Sequence, residues 1–461
     1  MGKRFGVVAV LIICMALIAS ACDSGDDSTG DDGGGDGDYR TLEVPGDYDT
    51  IQAAVDDASA GDLVLVDEGV YKEAVTVPEG TDNIVIRGTD RNKVILDGEF
   101  EKENGIFVVG ANGVAVENMT ARNYTANGFF WTGVEGYRGS YLTAYRNGDY
   151  GIYAFDSVTG QFDNSLGSGS PDAGFYIGQC YPCDAVLDNV IGEFNGLGYS
   201  GTDAGGNLII ANSTFRNNRA GIVPNTGAYE LCYPQRDMTI VGNRVYDNNY
   251  GEGPAVGLTQ DVDVVGSGVL VGGGIGNNIE RNQIYDNDLA GVLLTNFPES
   301  GAADDVPGPE DRTTPCSEYR ERPLPDPSEI PEVVIWPTAE NTIVGNEVSG
   351  SEYDLAIALL DEAYDNGNCF ADNVFTTSGP ANIEQFLPCE GEGTGSKDDS
   401  PFPILQLAEA GPPAGDYKTT PEPDDQENMP DASSAPPVPA TPDNVPMQID
   451  VDSITLPSKE S

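Results

Sequence analysis

The chain has 461 residues, enough for a sizeable core, and sets 76 acidic side chains against 22 lysines and arginines for a formal net charge of -54. Recognition of a phosphate backbone needs clustered Lys and Arg, so nucleic acid is excluded as a partner. There is no histidine anywhere, which removes imidazole as a catalytic base or metal ligand.

Lys3 and Arg4 precede an apolar run from Phe5 to Ile18, followed by Ala19-Ser20-Ala21-Cys22. A charged start, an apolar stretch too short to span comfortably and a small-residue cleavage site make an export signal. Ending on Cys, residues 1–22 resemble a bacterial lipoprotein signal, although Ala19 stands where leucine is common. The resemblance implies export, a diacylglyceryl group on Cys22 and a membrane anchor in the cell envelope. An ordinary secretory signal with an incidental Cys is the alternative. Residues 23–38 contain only Asp, Gly, Ser and Thr, seven of them aspartates, and form a flexible acidic tether.

Thr50 then caps a short amphipathic helix with Ile51, Ala54, Val55 and Ala58 on one face and Gly61 beyond its end. Such a helix plugs the open end of a stacked fold. The stack itself is visible from Gly105 onward. Gly105, Gly128, Gly151, Gly174, Gly198 and Gly221 fall 23, 23, 23, 24 and 23 residues apart, each opening a short run such as Ile-Phe-Val or Phe-Phe-Trp. Asn118, Asn164, Asn189 and Asn212 repeat at a second position, and Asn243, Asn282, Asn346 and Asn373 continue it. Internal repeats of this length mark solenoids. Apolar residues alternate over four or five positions and no long stretch has helical spacing, so each repeat is a β-coil. Amides at one turn of successive coils can then hydrogen-bond up the stack. Leucine-rich repeats have a similar period but need leucines this chain lacks.

Beyond Gly221 the period survives with insertions near 228–236, 250–265 and 296–337, long loops of the kind that carry binding sites. Residues 39–390 form the body, and 391–461, rich in Pro, Ala, Asp, Glu and Ser, read as a disordered acidic tail. Cys14 and Cys22 aside, the exported chain keeps six cysteines, which implies a disulfide framework with 15 possible pairings. The expected pairs are Cys180 with Cys183 in one turn, Cys369 with Cys389 in one coil, and Cys232 with Cys316 between two insertions. Cys180-Tyr-Pro-Cys183 could be a redox or zinc motif, but no second such motif and no histidine supports it.

Thr50-Ile-Gln-Ala-Ala-Val, Gly69-Val-Tyr-Lys-Glu, Asn83-Ile-Val-Ile-Arg-Gly and Val94-Ile-Leu-Asp-Gly, with the repeats, resemble the right-handed parallel β-helix proteins of the pectin-lyase-like superfamily across about residues 39–390. The resemblance implies an all-β, right-handed parallel β-helix with a polysaccharide partner. Individual activities are less well matched. The Asp-Phe-Ile-Phe-Gly block of pectin methylesterases and the paired-Asp and Gly-His-Gly blocks of polygalacturonases are missing. The Asp-Pro-His-Asp motif of mannuronan epimerases needs a histidine, and copper-accessory β-helices want His and Met. A calcium-dependent polysaccharide lyase stays open. With no lysine between Lys102 and Lys397, its proton-abstracting base would be an arginine, with Arg138, Arg146 and Arg219 as candidates.

Alternation along each glycine-led strand points the first and third residues inward and the second outward. Phe107, Phe130, Tyr153 and Tyr176 then form an aromatic ladder suited to the apolar faces of sugar rings. Two residues before each glycine, Asp149 and Asp172 come within about one strand spacing, ~4.8 Å. They could share a proton or hold a calcium ion, the one cofactor the pattern allows. Asp156, five residues after its glycine, completes the candidate acids and Asp203, at the same position of a later coil, is a candidate substrate contact, with Arg219 as the candidate base. Two readings follow: a surface-anchored monomer that binds, and as a lyase-like enzyme cleaves, extracellular polysaccharide, or a non-catalytic structural or adhesion module. In the second, the aromatics stack under loops and the aspartates merely end turns.

Overall fold

The computed structural model describes residues 39–257, 263–300, 333–360, 364, 366–403 and 411–460. The signal, Cys22 and the tether lie outside them, as does Cys316. The body is a stack of coils with three parallel sheets along its length. Among the described residues, sheet A has twelve strands, from Thr41–Val44 to Cys369–Ala371; sheet B has ten, from Gly69–Tyr71 to Glu347–Ser349; sheet C has eleven, from Val75–Val77 to Ser378–Gly379. Within a coil the chain visits A, then B, then C, and each strand pairs with its counterpart one coil on.

The glycine register opens the strands of sheet C, where backbones approach closely. A Cβ on Gly128 would lie 2.7 Å from the carbonyl oxygen of Gly151, and one on Gly221 would lie 2.5 Å from that of Gly268. No larger residue fits that turn.

The asparagines divide into two positions that the spacing had merged. Asn118, Asn164, Asn189 and Asn212 occupy the left-handed residue of the turn from A to B, with φ between 48° and 55°, a conformation asparagine tolerates. Asn243, Asn282, Asn346 and Asn373 sit one residue later, inside the coil, and carry the amide ladder. Asn243 donates to Asn282, Asn282 to Asn346 and Asn346 to Asn373, each at 3.0 Å, and the last amide ends on Glu384 at 2.9 Å. Two further ladders fill the other corners, through Asn195, Asn218, Asn248 and Asn287, and through Asn277, Asn341 and Asn368. A buried amide left alone would be costly, and stacking satisfies it.

Helix α1, Ile51–Asp57, closes the first end: Thr50 accepts from the Ala53 backbone at 3.1 Å, and Ile51, Ala54 and Val55 are buried. The single turn α2, Ile383–Phe386, buries Ile383 at the other end. Disulfides join Cys180 to Cys183 and Cys369 to Cys389 as expected. Cys232 is also disulfide-bonded.

The segment read as a disordered tail is, over residues 411–460, an extended strap laid along sheets A and B. It runs toward the first coils, passing Arg146 at Thr420 and Arg91 at Glu427, then turns back past Gly113 at Ala440 to reach Tyr246 at Glu460. Its composition offers little to bury, but the solenoid supplies partners: Arg87 donates to the carbonyl of Ala435, Arg138 to Val438, Arg281 to Val451 and Arg244 to Ser458. Ala440 and Val445 bury against Leu63, Val85 and Ala115. An arginine's fork of donors suits unpaired carbonyls of a chain that forms no sheet of its own.

Candidate functional site

The outer face of sheet C carries the aromatic row in register: Phe107 pairs with Phe130, Phe130 with Tyr153, and Tyr153 with Tyr176. Their inward neighbours Ile106, Phe129, Ile152 and Phe175 are buried in the core, as alternation requires. The first rings stack nearly parallel, Phe107 on Phe130 with centroids 4.9 Å apart and Phe130 on Tyr153 at 4.3 Å. These three are half-buried and present an aromatic surface. Tyr176 turns edge-on to Tyr153 at an interplanar angle of 84° and is only 1% exposed. It lies under the loop after Thr226, where it donates to the carboxylate of Glu230. The row therefore has an open end and a covered end.

At the covered end lie the two carboxyls of the preceding turn. The backbone amide of Asp172 donates to the carbonyl of Asp149 at 3.1 Å, which fixes them on adjacent coils. Burial pushes the Asp149 carboxyl up to about 6. Burial and then the Asp149 charge push Asp172 up to about 8, against a hydrogen bond with Tyr150 that favours its ionised form. Burial likewise pushes Glu230 up to about 8, opposed by the hydrogen bond from Tyr176. Tyr150 stacks on Tyr153 at 4.3 Å and joins this group. The arrangement holds protons that exposed carboxyls would release, beside a flat apolar strip.

Asp156 and Asp203 do not line the open strip. They are 3% and 1% exposed, and with Gln179 they hold the left-handed residue that ends each strand, at φ 50°, 48° and 52°. Asp203 accepts from the Gly227 amide at 3.3 Å, and Gln179 from that of Leu231 at 2.9 Å, so these side chains seat the covering loop. For them, ending the turn is the role observed. Arg219 is fully buried, its Nη2 held by the carbonyls of Gly251 and Pro412, where substrate cannot reach it. Arg138 and Arg146 donate to tail carbonyls on sheets A and B. None of the three arginines suits the expected base.

Calcium takes six to eight oxygens. Asp149 and Asp172 offer two carboxyls, one engaged with Tyr150, and no trio of acidic side chains arranged for a metal occurs among the described residues. The residues do not fit a calcium centre.

Tyr150, Glu230 and Arg236 were not legible as site residues. Glu230 comes from an insertion with no periodic signal. Arg236 packs over the Tyr181 ring at 3.8 Å and pulls against the raised pKa of Asp203, a contact only the loop's return creates.

Residues 127–300 match the family described as a right handed beta helix region. Probable pectinesterase 67 of Arabidopsis thaliana is 29% identical over 99 residues, which span 20% of this chain and 29% of that protein. Among solved structures, the chain is similar to the A-module of the Azotobacter vinelandii mannuronan C-5 epimerase AlgE4, at 16% identity and a TM-score of 0.46 over 78% of this chain and all of that one. It is also similar to pectate lyase Pel9A, at 11% identity and a TM-score of 0.44 over 85% and 89% of the two chains. Three parallel sheets wound coil on coil, with the matched region across seven of the glycine-led strands, make the body a right-handed parallel β-helix.

Proposed function

We propose that this chain binds an extended polysaccharide along sheet C, on Phe107, Phe130 and Tyr153, with Asp149 and Asp172 as a proton-sharing pair at the covered end. The in-register stacking of three half-buried rings carries this reading. Rings one coil apart offer a flat apolar track for successive sugars, whose C–H faces pack on aromatic faces. The acid pair supplies what bond cleavage needs, one carboxyl that keeps its proton and one that yields it near neutral pH. The two carboxyls titrate together, so the acid and base roles belong to the pair. The charged start, apolar run and Cys22 support delivery to the cell envelope on a lipid anchor, with the acidic tether between anchor and solenoid.

The burial of Tyr176, Asp156 and Asp203 favours a second reading, a non-catalytic surface module. The test is calorimetric titration of residues 38–461, body and strap together, with a panel of polysaccharides, followed by chromatography of the mixtures. Binding that Phe130→Ala and Tyr153→Ala abolish establishes the face. Shortened products lost in Asp172→Asn establish catalysis, and binding without products leaves the module. No binding across the panel refutes the glycan reading.

A further inference from the structure

We infer that the polysaccharide taken by sheet C is uncharged; the inference rests on the reading of that face as a glycan site. Ten arginines lie between Arg87 and Arg281, and no lysine lies between Lys102 and Lys397. Among the described residues, nine of those ten arginines meet the C-terminal strap through a carbonyl or carboxylate oxygen. The tenth, Arg236, covers the Tyr181 ring and faces Asp203. The strap thus takes up the arginines of the solenoid's sheets A and B or buries them, and the lysines of the first coils are paired with acids, Lys72 and Lys102 with Glu99 and Lys93 with Glu68 and Asp90; the covered end of the sheet C strip is left with Asp149, Asp172 and Glu230.

A uronate chain would bring a carboxylate with every sugar to a strip whose nearby cations, among the described residues, are already engaged by acids or by the strap. A carboxylate set beside the negative charge of the Asp149–Asp172 pair in a partly desolvated site is disfavoured. A neutral chain meets no such penalty. Its hydroxyls can accept from protonated carboxyls and phenols while its C–H faces rest on Phe107, Phe130 and Tyr153. Near neutral pH the Asp149–Asp172 pair, one carboxyl pushed up to about 6 and the other to about 8, holds one proton and keeps one negative charge while Glu230 keeps its proton, so the strip donates to hydroxyls and still repels a carboxylate.

The experiment titrates the full chain with neutral β-glucan, xylan and mannan and with polygalacturonate and alginate of matched length. Each titration is run at 0.1 M and 0.5 M salt, because added salt shortens the range over which the net charge repels an anion, from about 10 Å toward about 3 Å. The expected result is a neutral chain bound on the order of a hundredfold more tightly than either uronate, with the preference kept at high salt. Thr132→Lys, which adds a cation two residues along the strand from Phe130, should narrow that gap. Phe130→Leu, which keeps an apolar side chain but removes the flat ring, should weaken binding of the neutral chain. A uronate bound as tightly as the neutral chains, and lost in Phe130→Leu, overturns the inference while leaving the glycan face standing. Binding of neither class overturns both.

Discussion

Tyr176 donates its hydroxyl proton to Glu230, a residue 54 positions later, and both side chains are buried beneath the same loop. That contact closes one end of the aromatic row and places Glu230 in a cluster with Asp172, whose charge raises its pKa further. Both acids are pushed to about 8, far above an unfolded carboxyl near ~4. Between those values the folded chain holds protons the unfolded chain has lost, so stability is greatest at the acid side and falls as pH rises toward about 8. Thermal melts from pH 5 to pH 9 should show the midpoint dropping. Asp172→Asn should flatten the fall by about 1.4 kcal/mol for each pH unit over which that proton is lost. Parallel curves for variant and wild type would show that Asp172 does not titrate high.

The amide ladder predicts a local, large cost. Asn282 accepts from the Asn243 side chain and backbone and donates to Asn346 and to the carbonyl of Ile240. Asn282→Ala strands several buried polar groups at once and should destabilise by at least about 2 kcal/mol. Asn278→Ala, which loses only a half-buried contact to Glu280, should cost a few tenths. Urea midpoints compare the two, and equal midpoints would remove the ladder's claim to stability.

On sheet A, Glu117 is buried between Arg87, at 2.6 Å, and Arg138. Glu117→Gln leaves two guanidinium groups without a counter-charge and should cost about 3–5 kcal/mol. Guanidinium unfolding of variant and wild type measures it, and a loss below about 1 kcal/mol would mean the strap carbonyls alone satisfy both arginines.

The strap itself makes a fourth expectation. Ending the chain at Pro403 uncovers the buried Arg87 and the apolar patch of Leu63, Val85 and Ala115 that Ala440 and Val445 cover. The shortened chain should unfold at lower urea, by about 2–3 kcal/mol from the loss of buried Ala and Val alone, and should bind a hydrophobic dye. Limited proteolysis of the full chain should spare residues 411–460. Rapid trimming with an unchanged unfolding midpoint would mean the strap is only loosely held.

Sequence periodicity by itself determined the solenoid, its coil length, the capping helix and the outward aromatic row. These follow from local physics repeated at each coil: a glycine where backbones nearly touch, alternation along a strand, an N-cap at Thr50. The same spacing could not separate Asn164 from Asn243, because a left-handed turn residue and a buried ladder residue stand one position apart and both favour asparagine. Tertiary structure alone decided what the non-periodic segments do. The insertion at Glu230 covers Tyr176 and turns an open ladder into a strip with one closed end. The tail, too poor in apolar residues to fold alone, gains order from arginines hundreds of residues away. Those arginines looked available for chemistry in the sequence, because a charge has no periodic signature and its partner is fixed only when distant segments meet.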